Sequence, residues 1–449
     1  MKRILVIGAG RSATTMIQYL LDHAASGDWE VVVGDMQESL AIEKVGGHPR
    51  GRAIGFDAAD AVSRRKEVEA ADLVISLLPA SMHVLVARDC LELKAHLVTA
   101  SYVSEEMADL DTAAREADIL CLNEIGVDPG IDHMSTMEMV ERVRGLGGRI
   151  RSFRSYCGAL VAPASNNEWG YKFTWAPRNV ILAGQGGARY RSEGSIHYLP
   201  YSRLFRRLEE IEIPGIGRFE AYANRDSVKY LQLYQLEEVD TLFRATIRYP
   251  GYCKMWDAFV QMGITDGSYR IATSEGMTYR DFVFSFVNKV HGLSDRESLA
   301  FFLEEFQDGE VLLKLEKLGL LSDQRIPLVN ASPAEILEHI LQEKWVFLPE
   351  DVDMVVMQHQ LDYELAGQQR RLVSSMVDLG QDYNHTAISR TVGLPAAIAA
   401  KHILAGNIRI RGVVIPTSGE IYAPILDELK DYGIRFIEQE FLISRPEFA

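Results

Sequence analysis

An α/β protein built on a Rossmann-type doubly wound parallel sheet is the fold class this sequence predicts, and three observations predict it. Short β-rich runs alternate with helical patterns from the start of the chain to about residue 125. Most of these runs are apolar on both faces, as parallel strands covered by helices must be. The first run ends in "IGAGRSA", a G-x-G-x-x-A arrangement where a strand turns into a helix.

Taken in order, the strands read as Ile4–Gly8, Trp29–Gly34, Ala53–Phe56, Leu73–Leu78, His96–Ser101 and Ile119–Glu124. Helical patterns fall near Ser12–His23, Gln37–Lys44, Ala58–Ala70, Ser81–Leu93 and Ser104–Glu116. After residue 145 the rhythm changes. Longer strand candidates, "RIRSFRSYCG", "RFEAYANRDS" and "TLFRATIRYP", predict a mixed sheet in a second domain. Helical period dominates from Thr278 to Lys344 and predicts a helical insertion. "DMVVMQHQLDYE" and "RLVSSMVDLG", joined by "LAGQQR", read as a strand hairpin. "HTAISRTVGLPAAIAAKHILAG" is helical in period, with Gly393-Leu394-Pro395 marking a break or a kink.

The 449 residues exceed what one hydrophobic core supports, so two or three domains are expected. A net charge of −16 argues against a nucleic-acid partner held by its phosphates and against an anionic membrane surface. The longest apolar stretch, Leu73 to Ala87, is broken by Pro79 and His83 and is too short to span a bilayer, so no membrane anchor is expected. Cys90, Cys121, Cys157 and Cys253 show no CxxC pairing, which predicts a reducing compartment, the cytoplasm by default, and no metal site.

In the glycine motif, Gly8 permits the tight turn and Gly10 lets the backbone approach a pyrophosphate drawn to the helix N-terminus. Ala13 lets helix and strand pack closely. Asp35 follows Gly10 by 25 residues at the end of the second strand. A carboxylate there can accept from both ribose hydroxyls and repels a 2′-phosphate, so NAD is favoured, with NADP possible. Asp35 capping the helix near Gln37 is the structural alternative.

The later strands end in "SLLPASMH" (76–83), "TASY" (99–102) and "EIGVDPGIDHM" (124–134), which face the ligand crevice of an open α/β sheet. Beyond residue 145, "NNEWGYKFTWAP", "YANRDS" and "RATIRY" place arginines beside aromatics. Arg225 and Arg248 would each grip a carboxylate through the guanidinium fork. For each there is a plainer reading: Arg225 pairs with its neighbour Asp226, Asp132 and His133 cap a helix, and His83 is a packed core histidine.

The ordered blocks "LVTASYVS", "NEIGVDPGIDHM", "SYCGALVAP", "GYKFTWAP", "YANRDS" and "RATIRYPGY" resemble the saccharopine dehydrogenases that form glutamate, over essentially the whole chain. The resemblance implies a Rossmann domain (1–130 and 388–449), a mixed α/β substrate-binding and dimerisation domain (131–270 and 350–387) and a helical insertion (271–349). By motif it implies cofactor contacts at Ala9, Gly10, Arg11, Ser12, Gly34, Asp35, Met36, Phe56, Asp57, Leu77, Leu78, Ala100, Ser101, Val127, Asp128, Pro129, Thr174 and Trp175. Substrate contacts implied in the same way are Ser101, Tyr102, Asp128, Arg225, Thr246, Ile247 and Arg248. A homodimer acting on saccharopine or a close relative is expected. Departures from the family pattern lie at Ala159, Val161, Glu168 and Trp169. Fungal NADP-dependent members carry a basic residue at the position of Asp35, which again points to NAD.

The activity implied is oxidation of saccharopine at the carbon bonded to its secondary amine, then imine hydrolysis to glutamate and 2-aminoadipate 6-semialdehyde. Asp128 and Tyr102 are the candidates for proton exchange, ahead of Lys172 and His133. Two rivals are an opine or carboxynorspermidine-type dehydrogenase and a non-catalytic dinucleotide-binding regulator. The first would want acidic substrate contacts, and the paired arginines speak against it.

Overall fold

The computed structural model describes residues 1–304 and 309–443. Residues 305–308 of the expected helical insertion and 444–449 of the expected C-terminal segment lie outside them. The chain divides into two compact units, one of Met1–Arg151, Gln232–Glu237 and Val352–Ala449, the other of Ser152–Leu231 and Glu238–Asp351.

The first unit is built on a seven-stranded, wholly parallel sheet. Its first six strands in chain order are β1 (Lys2–Ile7), β2 (Trp29–Asp35), β3 (Gly51–Gly55), β4 (Leu73–Ser76), β5 (His96–Thr99) and β6 (Leu120–Leu122). The seventh is Gly412–Val414, beside β6, and the spatial order runs from it through β6, β5, β4, β1 and β2 to β3. The order reverses between β1 and β4, and ligands bind at such a switch point, outside the strands' C-terminal ends. Every residue of β4 is buried, as are Ile4 to Ile7 of β1, because crossover helices cover both faces.

All six strands expected from the sequence are present, each ending within three residues of the reading. The seventh is too short for a periodic signal. The expected hairpin also forms, with Asp353–Leu365 and Gln368–Leu379 antiparallel. Its connection is only Ala366 and Gly367, both at positive φ (50° and 75°), the two-residue geometry that suits the strands' right-handed twist. The helix Ala387–Leu404 runs through Pro395 without the break allowed for at Gly393-Leu394-Pro395. Its start is capped by the Thr386 hydroxyl, which accepts from Ser389 N, and by the Asp353 carboxylate, which accepts from Ala387 N and Ile388 N.

The second unit carries a mixed sheet. Strand Thr241–Arg248 pairs parallel with Arg149–Val161 and antiparallel with Gly217–Ala223, which continues to Leu208–Ile213. Helices Tyr279–Phe284, Asp295–Phe302, Glu310–Leu318 and Pro333–Lys344 account for the helical period read between residues 278 and 344. Three of the four begin at a serine or threonine whose hydroxyl and third following carboxylate form a reciprocal capping box.

Candidate active site

In the first unit the glycine loop follows β1. Gly8 sits at φ 106°, a conformation that side chains bearing a Cβ rarely adopt, and donates its N–H to Gly34 O at 2.8 Å. Gly10 is exposed and opens the 3-10 turn Arg11–Ala13 that leads into helix α1 (Thr14–Asp22), where Thr15 N donates to Ser389 Oγ at 3.0 Å. A Cβ at Gly10 would meet nothing within 4 Å, so the loop offers free space at the head of the helix, which fits a dinucleotide's pyrophosphate. Ala13 is fully buried. The Arg11 guanidinium donates to Tyr383 Oη at 3.1 Å and stays exposed.

Asp35 does not present a free carboxylate. Oδ2 accepts from Ala9 N at 2.8 Å and Oδ1 from Gln37 N at 2.9 Å, so the side chain ties the glycine loop to the end of β2. Among the other implied cofactor positions, Met36 is 78% exposed whereas Phe56 is buried, and Asp57 turns back to accept from Ala59 N. Leu77, Leu78, Ala100 and Ser101 are half-buried at the ends of β4 and β5, and Val127 is buried.

A polar cluster lies beyond β5 and β6. Tyr102 Oη donates to Asp128 Oδ1 at 3.2 Å. Asp128 belongs to the turn Gly126–Gly130, which closes through Gly126 N to Pro129 O, and its bond to Pro129 is cis. Gly130 stands at φ 147°, and a Cβ there would come within 2.0 Å of Gly126 O, so no larger residue fits this turn. The helix Ile131–Gly145 begins directly after it.

Asp132 and His133 lie in the first turn of that helix, whose start has no side-chain cap among the described residues, and they join a buried network. Gly130 N donates to Asp132 Oδ1 at 2.6 Å, while His133 bonds Glu124 Oε2 at 2.8 Å and Tyr234 Oη at 2.6 Å. His83 is likewise more than a packed histidine. Its ring bridges Ser76 Oγ (2.9 Å) to Ser101 Oγ (2.8 Å), and burial lowers its pKa to about 4, so it is neutral. Sequence reasoning missed Glu124, Tyr234 and the link from His83 to Ser101. An acidic residue closing an apolar strand was the only available signal for Glu124, and Tyr234 lies 101 residues from its partner.

In the second unit Arg248 is 4% exposed. Its guanidinium lies 5.1, 5.7 and 5.2 Å from the ring centroids of Tyr171, Tyr222 and Tyr252. Burial raises all three phenols above their ordinary range, so the cage is neutral. Nη1 donates to Ile247 O at 2.8 Å, Nη2 is 3.5 Å from Tyr222 Oη, and Nε has no hydrogen-bond partner among the described residues. No carboxylate among the described residues pairs with this cation, so the site is short of one anion. Ile247 is fully buried and Thr246 half-buried on the same strand.

Arg225 is exposed at φ 49°, with its carbonyl accepting from Arg189 N. Its neighbour Asp226 is held by Arg189, at 3.0 and 2.5 Å, rather than by Arg225 itself. Thr174 is buried with its hydroxyl unpartnered among the described residues, and Trp175 Nε1 donates to Tyr171 Oη at 3.1 Å. Lys172 donates to both oxygens of Asp351 at 2.7 Å, a pairing that holds its ammonium group on the scaffold.

Comparison with known proteins accords with this geometry. Residues 4–122 match the family described as "Saccharopine dehydrogenase NADP binding domain", and residues 126–434 match "Saccharopine dehydrogenase C-terminal domain". The chain is 32% identical to the Schizosaccharomyces pombe saccharopine dehydrogenase [NADP(+), L-glutamate-forming], over 98% of this chain and 99% of that one. It is 33% identical to the Arabidopsis thaliana alpha-aminoadipic semialdehyde synthase, over 97% of this chain but 44% of that longer protein. The solved apo saccharopine dehydrogenase (L-Glu forming) from Saccharomyces cerevisiae superposes with a TM-score of 0.87 at 32% identity, covering 98% of this chain and all of that one.

These matches overturn the expectation of NAD. The matching domain is an NADP binding domain and the fungal relatives are NADP(+) enzymes. The expectation rested on Asp35 as a ribose ligand that repels a 2′-phosphate; in the structure each of its oxygens accepts from one backbone amide, which ties the carboxylate to the glycine loop and to the end of β2. With two adjoining family domains matched over residues 4 to 434 and full-length relatives a third identical, the chain belongs to the saccharopine dehydrogenase family.

Proposed function

We propose that this protein catalyses the NADP-dependent interconversion of saccharopine with L-glutamate and 2-aminoadipate 6-semialdehyde, a reaction of lysine metabolism. The observation that carries the reading is Arg248, a buried guanidinium in a neutral tyrosine cage with no described carboxylate to pair with. A substrate bearing several carboxylates supplies the missing anion. A diamine substrate of the carboxynorspermidine kind would meet an uncompensated positive charge there instead.

Gly8 to Ser12 would hold NADP, which when bound would supply the hydride acceptor for the carbon next to the secondary amine. The chain's residues then have two tasks. Arg248, with Thr246 and the exposed Arg225, orients the substrate's acid groups. Tyr102 and Asp128, already hydrogen-bonded to each other, move the proton that water must give up when it adds to the imine, and return one to the departing amine. Ser101, held by the neutral His83, contributes a hydroxyl beside them.

The four cysteines are all buried free thiols, in keeping with a reducing compartment such as the cytoplasm, and the homodimer expected of the family is testable by light scattering. The deciding experiment follows NADPH absorbance on mixing the protein with saccharopine and NADP. Reduction that requires saccharopine, with glutamate as product, is the expected result. Absence of reduction from a protein that binds NADP would favour the regulatory reading and refute this one.

A further inference from the structure

Tyr102 is gripped from both sides by one residue. Glu124 N donates to Ser101 O at 3.1 Å, and Glu124 Oε1 accepts from Val103 N at 3.0 Å. Tyr102 lies between those two anchors, with its phenol on Asp128. The other carboxylate oxygen of Glu124 meets His133 at 2.8 Å, and His133 sits in the first turn of the helix that starts right after the Asp128 turn. Tyr234, 2.6 Å from the far nitrogen of His133, closes the frame. Glu124 and His133 are 1% and 0% exposed. A single hydrogen-bonded frame therefore carries both partners of the Tyr102–Asp128 pair, one through the Ser101–Val103 segment and the other through the helix start.

Stability alone does not account for this arrangement. A buried ionisable cluster is commonly replaceable by apolar residues without loss of stability. Glu124 also occupies φ 55°, a left-handed conformation disfavoured for a residue with a long side chain. Departures of this kind gather where a site has to be held in a set geometry. We propose that Glu124 and His133 are positioning residues that fix the distance and angle between Tyr102 and Asp128. The inference rests on the assignment of those two residues to proton exchange.

The test is a double-mutant cycle on the full chain, read as kcat and KM for saccharopine with NADP saturating. Glu124→Ala should lower kcat about tenfold or more with little change in KM, while Glu124→Gln, which keeps an acceptor for Val103 N, should stay within about threefold of the unaltered protein. In a Tyr102→Phe background the Glu124→Ala change should cost less than about threefold further, because it acts through the phenol that is already gone. Equal factors in both backgrounds, or a Gln variant as impaired as the Ala variant, would overturn the proposal. If Glu124→Ala does not fold, His133→Leu enters the same cycle, since an apolar side chain cannot donate to Glu124 Oε2 and the Val103 bond is left in place. No saccharopine-dependent reduction by the unaltered protein would remove the functional assignment and this inference with it. Activity with additive losses would remove this inference alone.

Discussion

Replacing Arg248 by methionine separates a ligand's counter-charge from a structural one. If the guanidinium holds a substrate carboxylate by two charge-assisted hydrogen bonds, each contributes about 1.5 to 3 kcal/mol. Arg248→Met should then cost about 3 to 6 kcal/mol of transition-state binding, a fall of roughly 10²- to 10⁴-fold in kcat/KM for saccharopine. The effect on folding should be much smaller. The variant loses cation–π contacts with three tyrosines at 5.1 to 5.7 Å, each about 0.5 to 2 kcal/mol. It also sheds the desolvation cost of a buried cation that has no described carboxylate, which is several kcal/mol of opposite sign. A net change below about 2 kcal/mol, a Tm shift of a few degrees, is expected. The measurements are initial rates of NADPH formation against saccharopine and urea unfolding of both proteins. A variant with the original kcat/KM, or one destabilised by more than about 4 kcal/mol, would show that Arg248 is part of the scaffold and not of the substrate site.

Three further outcomes follow from the same geometry. Gly10→Ala should leave unfolding free energy within about 0.5 kcal/mol, because the added methyl meets no protein atom, yet weaken NADP binding at least about tenfold by fluorescence titration; tight binding would place the pyrophosphate elsewhere. His83 has a folded pKa of about 4 against an ordinary 6.5, so the unfolded chain binds the extra proton and stability falls as pH drops through that window. Between pH 7 and 4.5 this amounts to roughly 2.5 kcal/mol, and His83→Gln should remove that share of the acid sensitivity in urea titrations at the two pH values. Lys172→Met strands the buried Asp351 carboxylate and should cost about 3 kcal/mol of stability while leaving kcat of the folded protein unchanged; a large fall in kcat would return Lys172 to the chemistry.

What the sequence determined by itself is whatever depends on neighbours along the chain. Alternation of apolar runs with helical period specifies parallel strands, because a strand buried on both faces leaves no polar alternation. The hairpin and the capping boxes are equally local, resting on a two-residue turn or a hydroxyl three positions from a carboxylate. The glycine motif is legible for the same reason, its demands on φ and on side-chain volume being those of single residues.

Tertiary structure alone decided which polar groups were already taken. Asp35 looked free for a ribose because nothing in the sequence tells that Ala9 N, 26 residues away, reaches it. Lys172 looked available until Asp351 was seen beside it, 179 residues along. Arg248 acquired its meaning from three tyrosines on separate segments, and His133 from Tyr234. A side chain's type states what it can donate or accept. Whether that capacity is spent on the scaffold or left for a ligand depends on chain segments brought together only by folding.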